Sequence, residues 1–315
     1  MNRILMPKKI YNGSMLPGMV ETTYAVTKSF MQHPSDTYGI FNDSIGAVLF
    51  AIDYLKANKR AYKDFERYFK EIDYPKIPKR FKTLRPRKKI PKNNPYLKSS
   101  KLIERDADII ARLSDRMYDK SSDDIFTYAE KSFRYVADKI EYLAAPHQTA
   151  YGTLYHKKGV CYGKLNLYAA LCRRQGIPVR FKIIPYKLTQ GFEDVFINFA
   201  PEPLLKKHRD LIDYMINIKI PHHFMEIRLP KVNGWINVNP IQPSKIYEAI
   251  GIGVPSIESL ILEEKNKSST KKKKHVTPAY ATEIYSLFVK TSEIFGRCRL
   301  GVEVNEKISE MYDSL

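Results

Sequence analysis

Cys161, His222 and Asn239 are the residues whose types and order suggest chemistry: a thiol, an imidazole and a carboxamide, which can serve as nucleophile, base and base-orienting group. Cys161 stands at the expected start of a helix, where unpaired N–H groups and the positive dipole end favour thiolate over thiol. Its own backbone N–H can help hold an oxyanion. Gly159 and Gly163, two residues to either side, leave room for a substrate carbonyl. Cys172, mid-helix among Leu171, Ala169 and Tyr168, reads instead as a small buried hydrophobe.

The helix that carries Cys161 is sharply delimited. Arg173 and Arg174 suit its negative end, Gly176 suits a left-handed cap, and Pro178 blocks continuation. Cys161 and Cys172 then lie roughly 16 Å apart along one axis, beyond disulfide reach. Val179 to Ile184 alternates as a strand, and two further strands fit HFMEIRL and WINVN, with Asn233 and Gly234 as a turn signal between them. His222 opens the first of that pair and Asn239 ends the second. A two-residue turn at Asn233 and Gly234 would pair Asn239 with Arg228, about 20 Å from His222, whereas a connection over roughly 227–234 would set Asn239 opposite His222. The pattern leaves both registers open.

Upstream, Leu102, Ile109, Ile110, Leu113 and Met117 recur at helical spacing, and a second helix is expected from Asp124 to about Tyr142. A loop after Pro146 leads to Cys161. An N-terminal region, 1–74, reads as helices over about 43–55 and 61–72. A helical insertion is expected around Pro203 to Ile216 and a C-terminal helix from about Pro278 to Phe295. The expected division is a helical region 1–74, a basic Pro-rich linker 75–101, an enzymatic domain 102–255, and a Lys-rich linker with C-terminal helices over 256–315.

Of the net charge of +19, residues 76–101 supply 11 and residues 265–274 supply 6, with no acid in either stretch. Such confinement suggests electrostatic arms, here candidates for a nucleic acid or another acidic surface, and the five prolines of residues 74–101 argue against a packed element. Three cysteines do not make a disulfide framework. The first twenty residues show no secretory signal, and the longest apolar stretch, Ile45 to Leu55, falls far short of the roughly 20 residues of a membrane span, so a cytoplasmic protein is expected. His156, Cys161, His222 and His223 make a conceivable zinc set, but no paired metal-ligand spacing supports it, and no nucleotide-binding fingerprint occurs. No cofactor is expected.

KKGVCYGKLNLYAALCRRQGIPVRF, HHFMEI and GWINVNP together resemble the transglutaminase-like superfamily: its Gly-Val-Cys-x-Gly helix start, its histidine motif and its Gly-Trp-Val-x-Val-Asp-Pro motif. The resemblance spans roughly 124–245. It implies an α+β, papain-like core in which the nucleophile helix packs on an antiparallel sheet, here with an N-terminal helical extension and a C-terminal helix. It also implies a cysteine peptidase, amidase or acyltransferase working on protein or peptide amides through a thioester, with hydrolysis favoured. Cys161 matches the nucleophile and His222 the base. Asn239 stands where most members carry aspartate, so it can fix the imidazole tautomer without supplying negative charge. His223 takes the opposite face of its strand and reads as structural. Glu226 matches a family acid and otherwise suits a salt bridge, Trp235 suits a site wall or core, and Gln148 and Tyr151 are candidates for a second oxyanion donor. The alternative is a retired enzyme fold that binds nucleic acid through the basic arms.

Overall fold

Nearly every side chain from Gly163 to Arg174 is buried, so the helix that begins at Cys161 must be surrounded on all sides rather than laid on a surface. The computed structural model describes residues 77–187, apart from 79–80, 87–89, 92 and 119–123, then residues 219–266, and isolated positions elsewhere, among them 276–277, 293, 305 and 306. Helices α1 (Asp108–Met117), α2 (Ile125–Lys139) and α3 (Ala150–His156) pack around the central α4 (Cys161–Arg174). Its remaining side meets an antiparallel sheet of β1 (Val179–Lys187), β2 (Lys219–Ile227) and β3 (Ile236–Val238), with the short β4 (Val276–Thr277) on the far edge. The strand order is β3-β2-β1-β4. This is the α+β arrangement expected from the resemblance. The expected helices over 43–55, 61–72 and 203–216 lie outside the described residues, as does the expected 278–295 helix except at Glu293.

The register shows why these strands hold together. Val179, Ile227 and Ile236 form one cross-strand row and Phe181, Met225 and Val238 the next, all six buried. The row between them is polar: Arg180 pairs with Glu226, which pairs with Asn237. Period-two alternation thus separates an apolar face from a polar one.

α4 also carries buried charge, and its polar groups are spent on backbone carbonyls. Lys164 Nζ donates to the carbonyls of Ala137 (3.0 Å) and Ile140 (2.8 Å), closing the C-terminal end of α2. Burial lowers the Lys164 pKa to about 7, with Asp138 opposing. Arg173 donates to the carbonyls of Lys98 (2.9 Å) and Val179 (3.3 Å), and Arg174 to those of Leu84 (2.6 Å) and Arg85 (2.9 Å) and to Asp106 (3.3 Å).

These bonds correct one expectation. The Pro-rich stretch was expected to hold no packed element, yet its described residues are fastened to the domain. Phe81 stacks on Tyr151 with ring centroids 4.9 Å apart, Leu97 is buried in a short 3-10 turn, Pro95–Leu97, and Tyr96 meets Trp235 edge-on at 5.0 Å. A hydrophobicity pattern misses such a segment because its attachment runs through main-chain acceptors. After β3, α5 (Ser244–Ala249) and, beyond 255, α6 (Ile257–Asn266) continue the fold: the Ser244 N–H donates to Asp138 and the Ile257 N–H to Glu130, both on α2.

Candidate active site

The N-terminus of α4 is built without a side-chain cap, because Val160 occupies the capping position and has no acceptor to offer. Gln148 supplies one from outside: its Oε1 accepts the Val160 N–H at 3.2 Å. The loop expected between Pro146 and Cys161 is in fact occupied by α3. Thr149 caps that helix by accepting from Gly152 N (3.1 Å), and Lys157 ends it in a left-handed conformation (φ 53°).

Cys161 is half-buried at the first position of α4, packed against the core. The helix start that favours the thiolate is opposed here by burial. Burial pushes the pKa up to about 11, against the opposing pull of the Tyr162 and Cys161 backbone N–H groups. Desolvation acts on the whole charge, whereas a helix terminus supplies a fraction of one, so burial wins. Cys172 is fully buried and pushed up to about 12, as suits a packing residue.

His222 lies within β2, its backbone paired with Ile184 of β1, while its imidazole and that of His223 lie outside the described residues. Asn239 follows β3. Neither anticipated register is observed: Met225 pairs with Val238, so the connection covers residues 228–235, and one further step in this register would set Asn239 opposite Phe224, two residues from His222. The Asn239 Oδ1 is buried and has no hydrogen-bond partner among the described residues. Such an acceptor is costly unless something donates to it.

Glu226 and Trp235 are committed to one guanidinium. Arg180 Nε lies 2.6 Å from the Glu226 carboxylate and its guanidinium carbon 4.3 Å from the Trp235 ring centroid, combining an ion pair with a cation–π contact. Of the two candidate oxyanion donors, Gln148 is fully buried with its Nε2 bonded to the Ala145 carbonyl (3.2 Å), and Tyr151 is buried against Phe81. His156 stacks on His147 at 5.6 Å, and burial with the neighbouring His147 and Lys158 lowers its pKa to about 4. Among the described residues no group of three or more His, Cys, Asp or Glu is arranged to hold a metal ion, and no helix is long and apolar enough to cross a membrane.

Glu104 escaped the sequence reading, since one acid among helical residues carries no signal. It is buried and accepts the Tyr151 N–H at 3.0 Å, fixing the first turn of α3. Burial raises its pKa to about 7 from an ordinary 4.5, with the surrounding hydrogen bonds opposing. A carboxyl raised on folding gives stability that is complete below the unfolded pKa and lost as pH rises through the folded one. Glu104 therefore removes on the order of a few kcal/mol between pH 4.5 and 7. His156 has the opposite sign, its contribution being lost as pH falls through 6.5 toward 4. Urea unfolding of wild type and Glu104→Gln from pH 4 to 8 isolates the Glu104 part: the variant should gain on wild type as pH rises and level off above 7. A constant difference would refute the assignment.

Residues 111–240 match the family model described as the Transglutaminase-like superfamily. No curated protein matches the chain. A solved structure from Cytophaga hutchinsonii, named "Putative Cysteine Protease", is similar at 18% identity with a TM-score of 0.32, over 47% of this chain and 41% of that one. The chain thus spans about two fifths of the length of that protein.

Proposed function

We propose that the protein is a cysteine hydrolase of protein or peptide amides, with Cys161 as nucleophile, His222 as base and Asn239 as the residue that orients the imidazole, a reading supported by the match of residues 111–240 to the transglutaminase-like family model. The observation that carries this reading is the buried Asn239 Oδ1, an acceptor without a donor among the described residues, in the residue that follows β3, the neighbour of the strand that bears His222. An imidazole N–H arriving from β2 would satisfy it.

Element lengths support the same reading. α4 is 14 residues long, about 20 Å from Cys161 to Arg174. A tight turn follows, with the Ile177 N–H bonded to the Cys172 carbonyl at 2.9 Å, and β1 starts at Val179 beside Arg173. A strand returning along the helix covers about 17 Å by Ile184. The Ile184 partner on β2 is His222. A β1 that runs back along α4 would carry the Ile184–His222 pair to about the level of the helix start, which supports His222 as the base.

In the proposed reaction the sulfur attacks an amide carbonyl while His222 removes the thiol proton. The Cys161 backbone N–H, one of the donors a helix leaves unpaired at its start, stabilises the oxyanion. His222 then protonates the departing amine as the C–N bond breaks, leaving a thioester on Cys161. Water, deprotonated by His222, cleaves the thioester to a carboxylic acid and restores the thiol. Hydrolysis should release ammonia or a new N-terminus from a glutamine-rich protein such as casein, with little incorporation of a fluorescent primary amine. Asn239→Ala should lower kcat by about tenfold, a part of the 10²–10⁴ that a positioned base supplies, and Asn239→Asp should restore or raise it. Unchanged kcat in Asn239→Ala, or turnover seen only with the amine, would overturn the assignment.

A further inference from the structure

Gln148 is fully buried and holds four hydrogen bonds. Its N–H donates to Glu293 Oε1 (3.0 Å), its Nε2 to the Ala145 carbonyl (3.2 Å), its Oε1 accepts the Val160 N–H (3.2 Å) and its carbonyl accepts from Asn166 Nδ2 (2.9 Å). Two of these grip α4, at its capping residue and one turn beyond Cys161. The first comes from far downstream. Glu293 is itself fully buried, and a second buried side chain from the same region, Asn305, bonds both the N–H (2.9 Å) and the carbonyl (2.8 Å) of Ala144. Residues near the C-terminus thus fasten the 144–148 loop, and that loop fastens the start of the nucleophile helix.

We propose that Glu293 is a positioning residue for Cys161, acting through Gln148: the carboxylate anchors the Gln148 main chain, and the Gln148 side chain in turn holds the Val160 amide from which α4 starts. The importance of Cys161 rests on the reading above, but the mechanical link does not. Removing the Glu293 acceptor orphans a buried N–H, so the loop must move to find another partner, and the first turn of α4 moves with it. Water then reaches the sulfur.

The test measures the alkylation rate of Cys161 by iodoacetamide, read at the Cys161 peptide by mass spectrometry, from pH 6 to 11 in the full chain. Glu293→Ala should shift the profile to lower pH by about one unit, about tenfold faster at pH 8, because the thiol loses part of its desolvation. Glu293→Gln keeps an acceptor oxygen and should stay within about twofold of wild type. Tyr128→Phe removes a buried hydroxyl bonded to the Leu171 carbonyl (3.0 Å), elsewhere in the same core, and should leave the profile in place. Superimposable profiles for wild type and a folded Glu293→Ala would overturn the proposal. Should Glu293→Ala not fold, native-state hydrogen exchange on the unaltered chain decides. The Gln148 and Val160 amides should open together with one denaturant dependence, and separate opening of Val160 at lower free energy would overturn the link. A shifted profile in a chain without acyl-transfer activity would uphold the positioning role and retire the enzymatic reading alone.

Discussion

Alkylation of Cys161 by iodoacetamide should accelerate about tenfold with each pH unit from 7 to 10, about a thousandfold in all, because the thiolate is the reacting species and its fraction climbs in proportion until the pKa is reached. Two forces act on that sulfur. The helix terminus favours the anion by about 0.3–1 kcal/mol, or up to about 2 kcal/mol in a partly buried site, equivalent to about one pKa unit. Burial moves the thiol the other way, from 9.0 to about 11. Desolvation is the larger, so the resting side chain is a neutral thiol. In the proposed reaction His222 would then remove the proton during attack, as a base does for serine, rather than hold a thiolate–imidazolium pair in advance. Cys161→Ala should abolish both labelling at this peptide and acyl transfer, and Cys161→Ser should leave acyl transfer below detection. A rate that is already flat at pH 6 would mean a preformed ion pair and would sink the general-base mechanism. Cys172 offers no competing signal, being fully buried with its thiol higher still.

The thiol illustrates which properties a linear pattern carries. The limits of α4 are local and were legible: two arginines, a glycine at φ 81° and a proline end it where the chain says it should end. The alternation of β1, β2 and β3 was legible for the same reason, since side-chain direction depends only on the neighbouring residue. Protonation was not, because burial is contributed by the whole fold. The β2–β3 register was not either. It is set by a connection over 228–235 that places Lys231 at φ 64° and Gly234 at φ 99°, and nothing in a lysine announces a left-handed backbone. α3 was missed because Gly152 and two tyrosines blur its period. Its order comes from Thr149 and from Glu104, which lies 47 residues away from the Tyr151 amide that it accepts. Glu293 and Asn305 are the extreme case: single polar side chains more than a hundred residues from the loop they hold.

Gly163→Ala should cost more in activity than in stability, and the space around its Cα shows why. A Cβ there would stand 2.4 Å from Gln148 Oε1 and 2.5 Å from Thr153 Oγ1, so something must move. Neither neighbour yields easily: Gln148 is held by four hydrogen bonds and Thr153 is fully buried on α3. Helix propensity favours alanine by about 1 kcal/mol, which offsets part of an overpacking penalty of about 1–3 kcal/mol. The net destabilisation is therefore small, about 0–2 kcal/mol, and the variant should fold. What changes is the first turn of α4, displaced from Gln148 and carrying Cys161 with it. A shift of about 1 Å at a nucleophile costs about a hundredfold in rate. Gly253→Ala is the matched control, since a Cβ there meets nothing within 4 Å; it should alter neither Tm nor kcat. Wild-type kcat in Gly163→Ala would mean that the turn absorbs a methyl group without moving the sulfur, and that the clearance beside Cys161 serves something other than the nucleophile.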